Sequence, residues 1–562
     1  MKTTKLLGLF AIAALLLTGP AFGAAQIIIV NTNAPGVGFN EATPAVPVGG
    51  NNGTTIGQQR LNAFQYAADI WGSILNSPVP IYIQSSFTPL ACTATAATLG
   101  SAGALQVFGN FPNTELLDTW YHVALANKLA GADLAPGANG TSADDIIARF
   151  NSELGKPNCL AGTGWYLGLD ANHGANIDLV TVLLHEFGHG LGFSGFYNKV
   201  TGANLAGYPD VYGTYTFSTT FNKAWPQMTD IERATATIDT NNVVWTGINV
   251  TAAVPNVLQL GTPLVTVNTP AALGSYRVGT ATFGPLLAAP GVTGDVALGL
   301  DADEDGAGTV STATDACSTI TTNLTGKIGL VDRGSCGFAI KVKNLQDAGA
   351  IAVLIADNVA GSPPAGMSGV DATITIPSVR ISLANGNAIK SALASGTVNV
   401  TLGVNLAVRA GANPAGRALL NAPNPVVTGS SISHWDPIAF PNLLMEPSIN
   451  GDLTHGVDLT RQEMTDIGWF SDGDGVADGV DQCIGSSRSA TVVIDGCNSG
   501  VTNTTFATGC RITDQVNDCR VGAANHGAFV SCVANLMNSL RTRGVITEGQ
   551  KGAIQSCAAR AK

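Results

Sequence analysis

The chain of 562 residues is too long for one hydrophobic core, so several domains are expected. Only 12% of its residues are charged and 67 are glycine, a composition that indicates a loop-rich, β-containing secreted protein and excludes a disordered one. The net charge of -12 and the isoelectric point near 4.9 argue against nucleic acid as a partner, and they fit carboxylate-rich loops that bind Ca²⁺.

Residues 1–25 have the pattern of a secretory signal peptide. Lys2 and Lys5 precede an apolar stretch from Leu6 to Leu17, and the small-residue exit Ala21-Phe22-Gly23 follows. Such a segment is too short to remain as a membrane span, and no later stretch is long and apolar enough to cross a bilayer. We therefore expect a secreted protein, extracellular or periplasmic, and no inhibitory propeptide, because the first predicted strand follows almost directly.

Apolar periodicity predicts alternating strands and helices before residue 152. Residues such as Phe64, Ala68 and Trp71 recur at helical spacing, which marks the best-defined helix. The predicted elements are a strand at Gln26–Val30, a helix at 57–76, a strand at Val79–Phe87, a helix at Trp120–Leu129 and a strand at Ile146–Asn151.

The stretch from Val182 to Gly195 contains the pattern H-E-x-x-H. His185 and His189 are four residues apart on a predicted helix, so both imidazoles can reach a single Zn²⁺. Glu186 lies one step round the helix, where its carboxylate can take a proton from water. A histidine pair can be merely structural, but here an apolar run precedes it and glycine follows. The opposite face of the helix carries an apolar stripe of Val180, Leu184, Phe187 and Leu191.

With Gly192 the pattern becomes H-E-x-x-H-x-x-G, which resembles the metzincin metalloproteases. The resemblance implies an α+β protein whose metzincin-type catalytic domain has a mixed sheet and an active-site helix. It also implies an edge strand along which an extended peptide substrate lies, and Gly164–Asp170 is the candidate. The usual third histidine of this family is missing, because position 195 is glycine.

One branch of that family, the leishmanolysin-like enzymes, supplies its third histidine after a long insertion and places a methionine eleven residues later. This chain has Ser433-His434, and Met445 follows the histidine by eleven residues. The segment from Asp458 to Trp469 resembles the closing helix of the same branch. The resemblance makes His434 the third zinc ligand and puts Met445 beneath the metal. Catalytic zinc uses three protein ligands and a water, so one ligand is needed besides His185 and His189. Asp210 and His455 remain alternatives to His434 for this third position.

Residues 255–410 are rich in Val, Thr, Ala and Gly, which predicts an independent domain. This domain would be inserted between residues 26–254 and 411–470 of the catalytic domain. Within the insert, three ordered blocks resemble the protease-associated (PA) domain, a β-rich module found inside many secreted and vacuolar peptidases. The resemblance implies contact with substrate or control of access, without chemistry of its own. The blocks are Gly326–Phe338, Lys341–Asn358 and Ile376–Ser382.

Acidic residues beyond Trp469 predict calcium binding. Within the acidic linker of residues 471–499, the run from Asp472 to Cys483 resembles a thrombospondin type 3 calcium repeat, in which carboxylates and glycine turns surround the ion with oxygen ligands. The candidate ligands are Asp472, Asp474, Asp478 and Asp481. A weaker candidate loop contains Asp301, Asp303, Asp305 and Gly306, but its twelfth position is Thr312 and not glutamate.

Residues 500–562 are expected to form a helical module with helices at about 527–541 and 547–560. The ten cysteines of the chain are even in number and fall in local groups, which indicates disulfides and an oxidising compartment. We expect every bridge to stay inside one module. The expected pairs are Cys92–Cys159, Cys317–Cys336, Cys483–Cys497, Cys510–Cys519 and Cys532–Cys557.

The sequence therefore predicts a secreted zinc endopeptidase that acts on protein or peptide substrates. His185, His189 and His434 would hold Zn²⁺, and Glu186 would act as the general base. The alternatives are a secreted or surface adhesion protein with an inactive protease-like domain, and a metal-dependent amidase. The intact Glu186 favours an enzyme, because a scaffold needs no general base.

Overall fold

The computed structural model describes residues 24–94, 96–136, 144–302, 312–471, 476, 478, 480–483, 486–487 and 489–561. Residues 1–23, which carry the predicted signal peptide, lie outside this part of the chain. Within the described part, no helix has both the length and the apolar character that a membrane span requires. The buried apolar side chains form one large cluster from residues 25–258 and 412–469, two clusters within residues 265–402, and one from residues 492–558.

Residues 27–191 supply a sheet and three helices to the large cluster. Their elements are β1 (Ile27–Asn31), α1 (Ile56–Ile74), β2 (Ile81–Thr88), β3 (Gly100–Ala104), β4 (Val107–Phe108), β5 (Tyr121–His122), α2 (Val123–Ala130), β6 (Ile146–Asn151), β7 (Trp165–Tyr166), β8 (Ile177–Asp178) and α3 (Leu179–Leu191). The four-stranded sheet has the order β1-β2-β6-β3, in which β3 alone is antiparallel to its neighbour.

Helix α1 packs on β1 and α3. It begins where the side chain of Thr55 accepts a hydrogen bond from the N–H of Gln58, a favourable N-cap. The indole of Trp71 in this helix is fully buried, and its N–H donates to the carbonyl oxygen of Leu184 at 3.0 Å. The helix predicted at 57–76 and the strands predicted on either side of it are confirmed, with bounds that differ by at most two residues.

The predicted edge strand at Gly164–Asp170 is wrong. Only β7 is extended there, and it pairs with the two-residue strand β8 outside the four-stranded sheet. The edge strand that packs against α3 is β3, which runs from Gly100 opposite Phe150 to Ala104 opposite Ile146. Its sequence, G-S-A-G-A, lacks the β-branched and aromatic residues by which a strand is predicted, so pairing with β6 decides its conformation.

A smaller sheet extends the large cluster beyond α3. Its strands have the order β10-β9-β11 and are antiparallel. The elements of this region are α4 (Val211–Thr214), β9 (Thr216–Ser218), β10 (Lys223–Ala224), α5 (Asp230–Ala236), β11 (Val243–Trp245) and α6 (Ile248–Val257).

Residues 260–409, called the insert below, form an eight-stranded sheet with two helices. Their elements are β12 (Leu260–Thr269), β13 (Ser275–Arg277), β14 (Gly279–Thr280), β15 (Val292–Leu298), β16 (Ile328–Asp332), α7 (Phe338–Asp347), β17 (Ala352–Ala356), β18 (Ser378–Ile381), α8 (Leu383–Leu393) and β19 (Asn399–Arg409). The order is β13-β12-β19-β15-β16-β17-β18-β14, and β15 to β18 are parallel. Leu260 pairs with Arg409, so the two ends of the insert are adjacent.

Residues 410–470 return to the large cluster and end with α9 (Thr460–Asp466). The returning chain lies beside β11, because the N–H of Trp245 donates to Ala418 and the N–H of Leu420 donates to Val243, both at 2.9 Å. The indole of Trp469 then donates to the carbonyl oxygen of Leu191 at 3.0 Å. Contacts of this kind join the last part of the chain directly to α3.

The C-terminal module combines a β-hairpin with three helices. Its elements are β20 (Thr491–Ile494), β21 (Cys497–Thr502), α10 (Ile512–Val521), α11 (His526–Thr542) and α12 (Glu548–Arg560). The two predicted helices are confirmed as α11 and α12, whereas the sequence does not predict α10 or the hairpin.

The disulfide pairs Cys92–Cys159 and Cys317–Cys336 are confirmed, and the three predicted for the C-terminal region are wrong. Helix α10 and the hairpin bring Cys483 to Cys510 and Cys497 to Cys557, across 27 and 60 positions, so pairing by proximity along the chain fails there. The observed pairs are Cys483–Cys510, Cys497–Cys557 and Cys519–Cys532.

Candidate metal centre

Helix α3 carries the H-E-x-x-H residues through the large cluster, and both of its ends are fixed. The carboxylate of Asp178 accepts hydrogen bonds from the N–H of Val180 at 3.2 Å and from the hydroxyl of Thr181 at 2.7 Å. Gly192 ends the helix with φ of +156°, and a Cβ there would lie 2.2 Å from Cδ1 of Ile467. The predicted apolar stripe is fully buried: Val180, Leu184, Phe187 and Leu191.

Three histidines meet beside α3. Nε2 of His189 lies 3.2 Å from Nε2 of His185 and 3.3 Å from Nε2 of His434. Nε2 of His434 lies 3.3 Å from that of His185. Within the described residues, this is the group of side chains whose ligand atoms are close enough to hold one metal ion.

Each of the three imidazoles is fixed in one tautomer by a backbone carbonyl. A carbonyl oxygen only accepts hydrogen bonds, so each Nδ1 must carry the proton and each Nε2 must present a lone pair. Three lone pairs that face one another repel unless a cation lies between them. The Nδ1 donors and carbonyl acceptors are His185 and Leu444 at 2.7 Å, His189 and Phe193 at 2.9 Å, and His434 and Ser430 at 2.9 Å.

This donor set fits a tetrahedral zinc ion. Zn–N bonds of about 2.0–2.1 Å put two ligand nitrogens about 3.4 Å apart in tetrahedral geometry, close to the separations observed. Burial lowers the pKa of His185 to about 4 and that of His189 to about 3, which keeps both imidazoles in the neutral form that binds metal. A backbone acceptor on the second ring nitrogen is also usual for zinc-binding histidines.

Glu186 lies between α3 and the edge strand β3. Burial raises the pKa of its carboxyl group to about 8, and a hydrogen bond from the backbone of Ala102 in β3 opposes part of that shift. The strand is so close that a Cβ at Gly100 would lie 3.0 Å from Cγ and 3.1 Å from Oε1 of Glu186. A cation at the three histidines would lower this pKa, so the group can exchange a proton near neutral pH.

Met445 packs against the backbone of α3 between the two helix-borne histidines. A Cβ at Gly188 would lie 2.9 Å from Sδ of Met445, so only glycine allows this approach. Met445 is fully buried, and its carbonyl oxygen accepts a hydrogen bond from the N–H of Trp435 at 2.8 Å. The side chain therefore forms an apolar support beside the histidine cluster.

The two alternative third ligands have other partners. Asp210 caps α4, where its carboxylate accepts hydrogen bonds from the N–H groups of Gly213 at 2.6 Å and Phe196 at 2.7 Å. Nε2 of His455 lies 2.7 Å from Oδ2 of Asp178, at the N-terminus of α3. Neither side chain belongs to the histidine cluster.

A buried lysine near the histidines is not predicted from the sequence. Nζ of Lys199 donates to Oγ of Ser433 at 3.0 Å and lies 4.0 Å from the ring centroid of Tyr197. Burial lowers the pKa of Lys199 to about 8. The contact with Ser433 joins residues 234 positions apart, so no local sequence pattern could reveal it.

The predicted calcium residues are described only in part. Asp478 and Asp481 are each 1% exposed. The carbonyl oxygen of Asp478 accepts a hydrogen bond from Nδ2 of Asn249 at 3.2 Å, which ties the linker to α6. Asp301 is also described, and its carboxylate accepts from the N–H of Ser318 at 3.1 Å. The candidates outside the described residues are Asp472, Asp474, Asp303, Asp305 and Gly306.

Comparison with known families identifies one part of the chain. The model of the PA domain family matches residues 284–389. The chain contains a PA domain. The matched residues lie inside the insert and contain the strands β15 to β18 of its eight-stranded sheet.

Curated relatives match over short segments. The chain is 35% identical over 79 residues to the minor extracellular protease Vpr of Bacillus subtilis, which is 14% of this chain and 9% of the relative. It is 39% identical over 82 residues to probable leucine aminopeptidase 2 of Aspergillus fumigatus, 14% of this chain and 16% of the relative. It is 44% identical over 82 residues to vacuolar-sorting receptor 3 of Arabidopsis thaliana, 13% of each. The chain therefore spans less than a fifth of these relatives.

Solved structures are similar over a limited part of the chain. An aminopeptidase from Aneurinibacillus sp. strain AM-1 is 27% identical with a TM-score of 0.20, and the match covers 26% of this chain and 31% of that chain. A zinc aminopeptidase from Bacillus subtilis is 19% identical with a TM-score of 0.20, over 28% and 36% of the two chains. The relatives include both peptidases and a sorting receptor, so a match over the PA domain does not define a reaction.

Proposed function

We propose that this protein is a zinc-dependent endopeptidase of the leishmanolysin-like metzincin type, with a PA domain inserted in its catalytic domain. The observation that carries the proposal is the cluster of three histidines, each fixed in the metal-binding tautomer, beside the buried carboxyl group of Glu186. Five disulfides within the described residues and the predicted signal peptide support action outside the cytoplasm.

Zinc bound by His185, His189 and His434 would supply a Lewis acid that polarises the scissile carbonyl group and lowers the pKa of water towards about 7. Glu186 accepts the proton of the attacking water at its carboxylate and delivers it to the departing amine nitrogen. Its side chain is buried between α3 and β3, with Glu186 only 8% exposed, so the carboxyl group has little contact with solvent. The carbonyl oxygens of Leu444, Phe193 and Ser430 hold the imidazole rings in place throughout.

The substrate would lie along β3. Within the described residues, β3 pairs with β6 on one side, and its other edge has no strand. An extended peptide can add to such an edge through main-chain hydrogen bonds, which are independent of the peptide's ends. This geometry favours cleavage inside a chain, and it moves the proposed substrate strand from Gly164–Asp170 to Gly100–Ala104.

Cleavage of a peptide blocked at both ends tests the proposal. The purified full-length chain should hydrolyse an N-acetylated, C-amidated peptide, lose activity to a zinc chelator and regain it with Zn²⁺. Cleavage of free-amine peptides alone would indicate an aminopeptidase instead. Stoichiometric zinc without hydrolysis of peptides or small amides would indicate the adhesion protein, and hydrolysis of small amides alone would indicate the amidase.

A further inference from the structure

Residues 419–436, called the third-ligand segment below, lead from the neighbourhood of β11 to His434. The segment has no helix or long strand of its own. It folds back on itself, because the N–H of Asn421 donates to His434 at 2.9 Å and the N–H of Ile432 donates to Asn421 at 2.7 Å. Because it lacks the regular hydrogen-bond ladder of a helix or sheet, its conformation also depends on the contacts that surrounding elements make with it.

The insert contacts one end of this segment through an ion pair. Nη1 of Arg277, at the end of β13, donates to Oδ2 of Asp436 at 2.7 Å, and Nη2 donates to Oδ1. The side chain of Asp436 is 0% exposed and that of Arg277 is 10% exposed, so water screens the pair very little. Asp436 lies two residues after His434, and its N–H donates to Leu419 at 3.0 Å, which closes the segment.

The insert also contacts the middle of the segment. Ser362 and Asn424 exchange both backbone hydrogen bonds, at 2.7 and 2.6 Å. The hydroxyl of Ser362 donates to Oγ1 of Thr240 at 3.1 Å, and Oγ1 of Thr240 donates to the carbonyl oxygen of Ala422 at 2.8 Å. Two separate parts of the insert therefore hold the segment that supplies His434.

We propose that the insert sets the affinity of the metal centre by holding the third-ligand segment, and that Arg277 is a positioning residue for His434. The inference rests on the proposed function only in taking the three histidines as metal ligands. Arg277 fixes Asp436, Asp436 fixes the end of the segment, and the segment presents Nε2 of His434 to the other two histidines. Residues that orient metal ligands from outside the ligand set typically change metal affinity by about 10–100-fold when replaced.

Zinc affinity of Arg277→Met, measured by competition with a chromogenic chelator, tests the proposal. We expect affinity at least ~10-fold below that of the parent. The d–d absorption of the Co²⁺-loaded protein should also change, because the position of one nitrogen ligand changes. The matched control is Arg333→Met. Arg333 belongs to the same insert, but its ion pair with Asp357 stays inside the insert, so zinc affinity and the Co²⁺ spectrum should equal those of the parent.

A second variant separates positioning from folding. Arg277→Met leaves a buried, unpaired carboxylate, whereas Arg277→Met with Asp436→Asn removes both charges and should recover much of the stability of the metal-free protein. We expect its zinc affinity to remain low. Parent-like zinc affinity in the folded double variant would overturn the proposal, and so would a parent that binds no zinc. Because these measurements use no substrate, a chain that behaves as expected here but cleaves no peptide would contradict only the proposed peptidase function.

Discussion

Glu186 has a buried carboxyl group and lies next to His185 in the candidate metal centre. In Glu186→Gln the amide keeps the volume of the side chain but cannot accept a proton, so we expect kcat/KM for a blocked peptide to fall at least ~10²-fold. Zinc should stay bound, because the three histidines are unchanged. Glu153→Gln is the matched control, since Glu153 pairs with Lys156 on the surface. Near-normal cleavage by zinc-loaded Glu186→Gln would show that the assigned base is wrong.

His434 is expected to complete the metal site, and three variants compare it with its alternatives. His434→Ala should lose zinc and activity together, because two histidines leave the ion short of three protein ligands. Asp210→Ala and His455→Ala should keep zinc, although Asp210→Ala should lower the free energy of unfolding by about 1 kcal/mol through loss of a helix cap. Metal analysis and urea unfolding check these results. An empty site in Asp210→Ala alone would overturn the leishmanolysin-like assignment.

The buried carboxyl group of Glu446 should make the free energy of unfolding depend on pH. Burial raises the pKa of its carboxyl group from 4.5 to about 8, so the folded chain binds this proton more tightly than the unfolded chain does. The contribution of this proton to the free energy of unfolding is fully present below pH 4.5, and it is lost as the pH rises through about 8. Glu446→Gln stays neutral, so its stability relative to the parent should rise between pH 5 and pH 8.5 in urea unfolding. A pH-independent difference between the two proteins would contradict the buried, protonated state of Glu446.

The sequence predicts those site residues that lie in local patterns. His185, Glu186 and His189 occupy one helix, and the resemblance to leishmanolysin-like enzymes points to His434 through its spacing from Met445. No such pattern exists for Arg277 or Lys199. Arg277 meets Asp436 across 159 positions, and the fold alone brings the two side chains together.

At the scale of elements, α1, α3, α11 and α12 are predictable because a long periodic run of apolar residues identifies each of them. Strand β3 is not, because its glycines and alanines carry no strand signal and its conformation depends on β6. The sequence does not predict the C-terminal hairpin, for a related reason. The pairing of β20 with β21 is irregular between Thr491 and Val493. The glycines of the hairpin also weaken the alternation of apolar and polar residues. Because the sequence predicts neither the hairpin nor α10, it does not predict the three disulfide pairs of this region.

The acidic linker is the element for which calcium is expected. Asp472, Asp474, Asp478 and Asp481 would bind Ca²⁺ through their carboxylates, and an ion that binds only the folded chain stabilises it by mass action. Calorimetry of the full chain should therefore give a higher Tm with Ca²⁺ than with a calcium chelator. The shift should disappear in the Asp472→Asn, Asp474→Asn double variant. An equal Tm under all conditions would reduce this stretch to an acidic linker.

At the scale of the molecule, the insert has the buried clusters needed to fold by itself. Two clusters lie within residues 265–402, and Leu260 opposite Arg409 closes the ends. We expect a fragment of residues 260–409 to unfold in one cooperative transition, monitored by near-ultraviolet circular dichroism. A variant of the fragment without the Cys317–Cys336 bridge should unfold at a lower temperature. A fragment without a cooperative transition would show that the insert depends on the large cluster.

The distance between the proposed metal ligands along the chain also determines how late in synthesis the site can be completed. His434 follows His189 by 245 residues, with the whole insert between them. At about 5–20 residues per second, synthesis of that interval takes on the order of 10–50 s. Until that interval has been synthesised, a nascent chain carries only two of the three proposed ligands. The proposed metal site would therefore be complete only after the insert and the third-ligand segment have been synthesised.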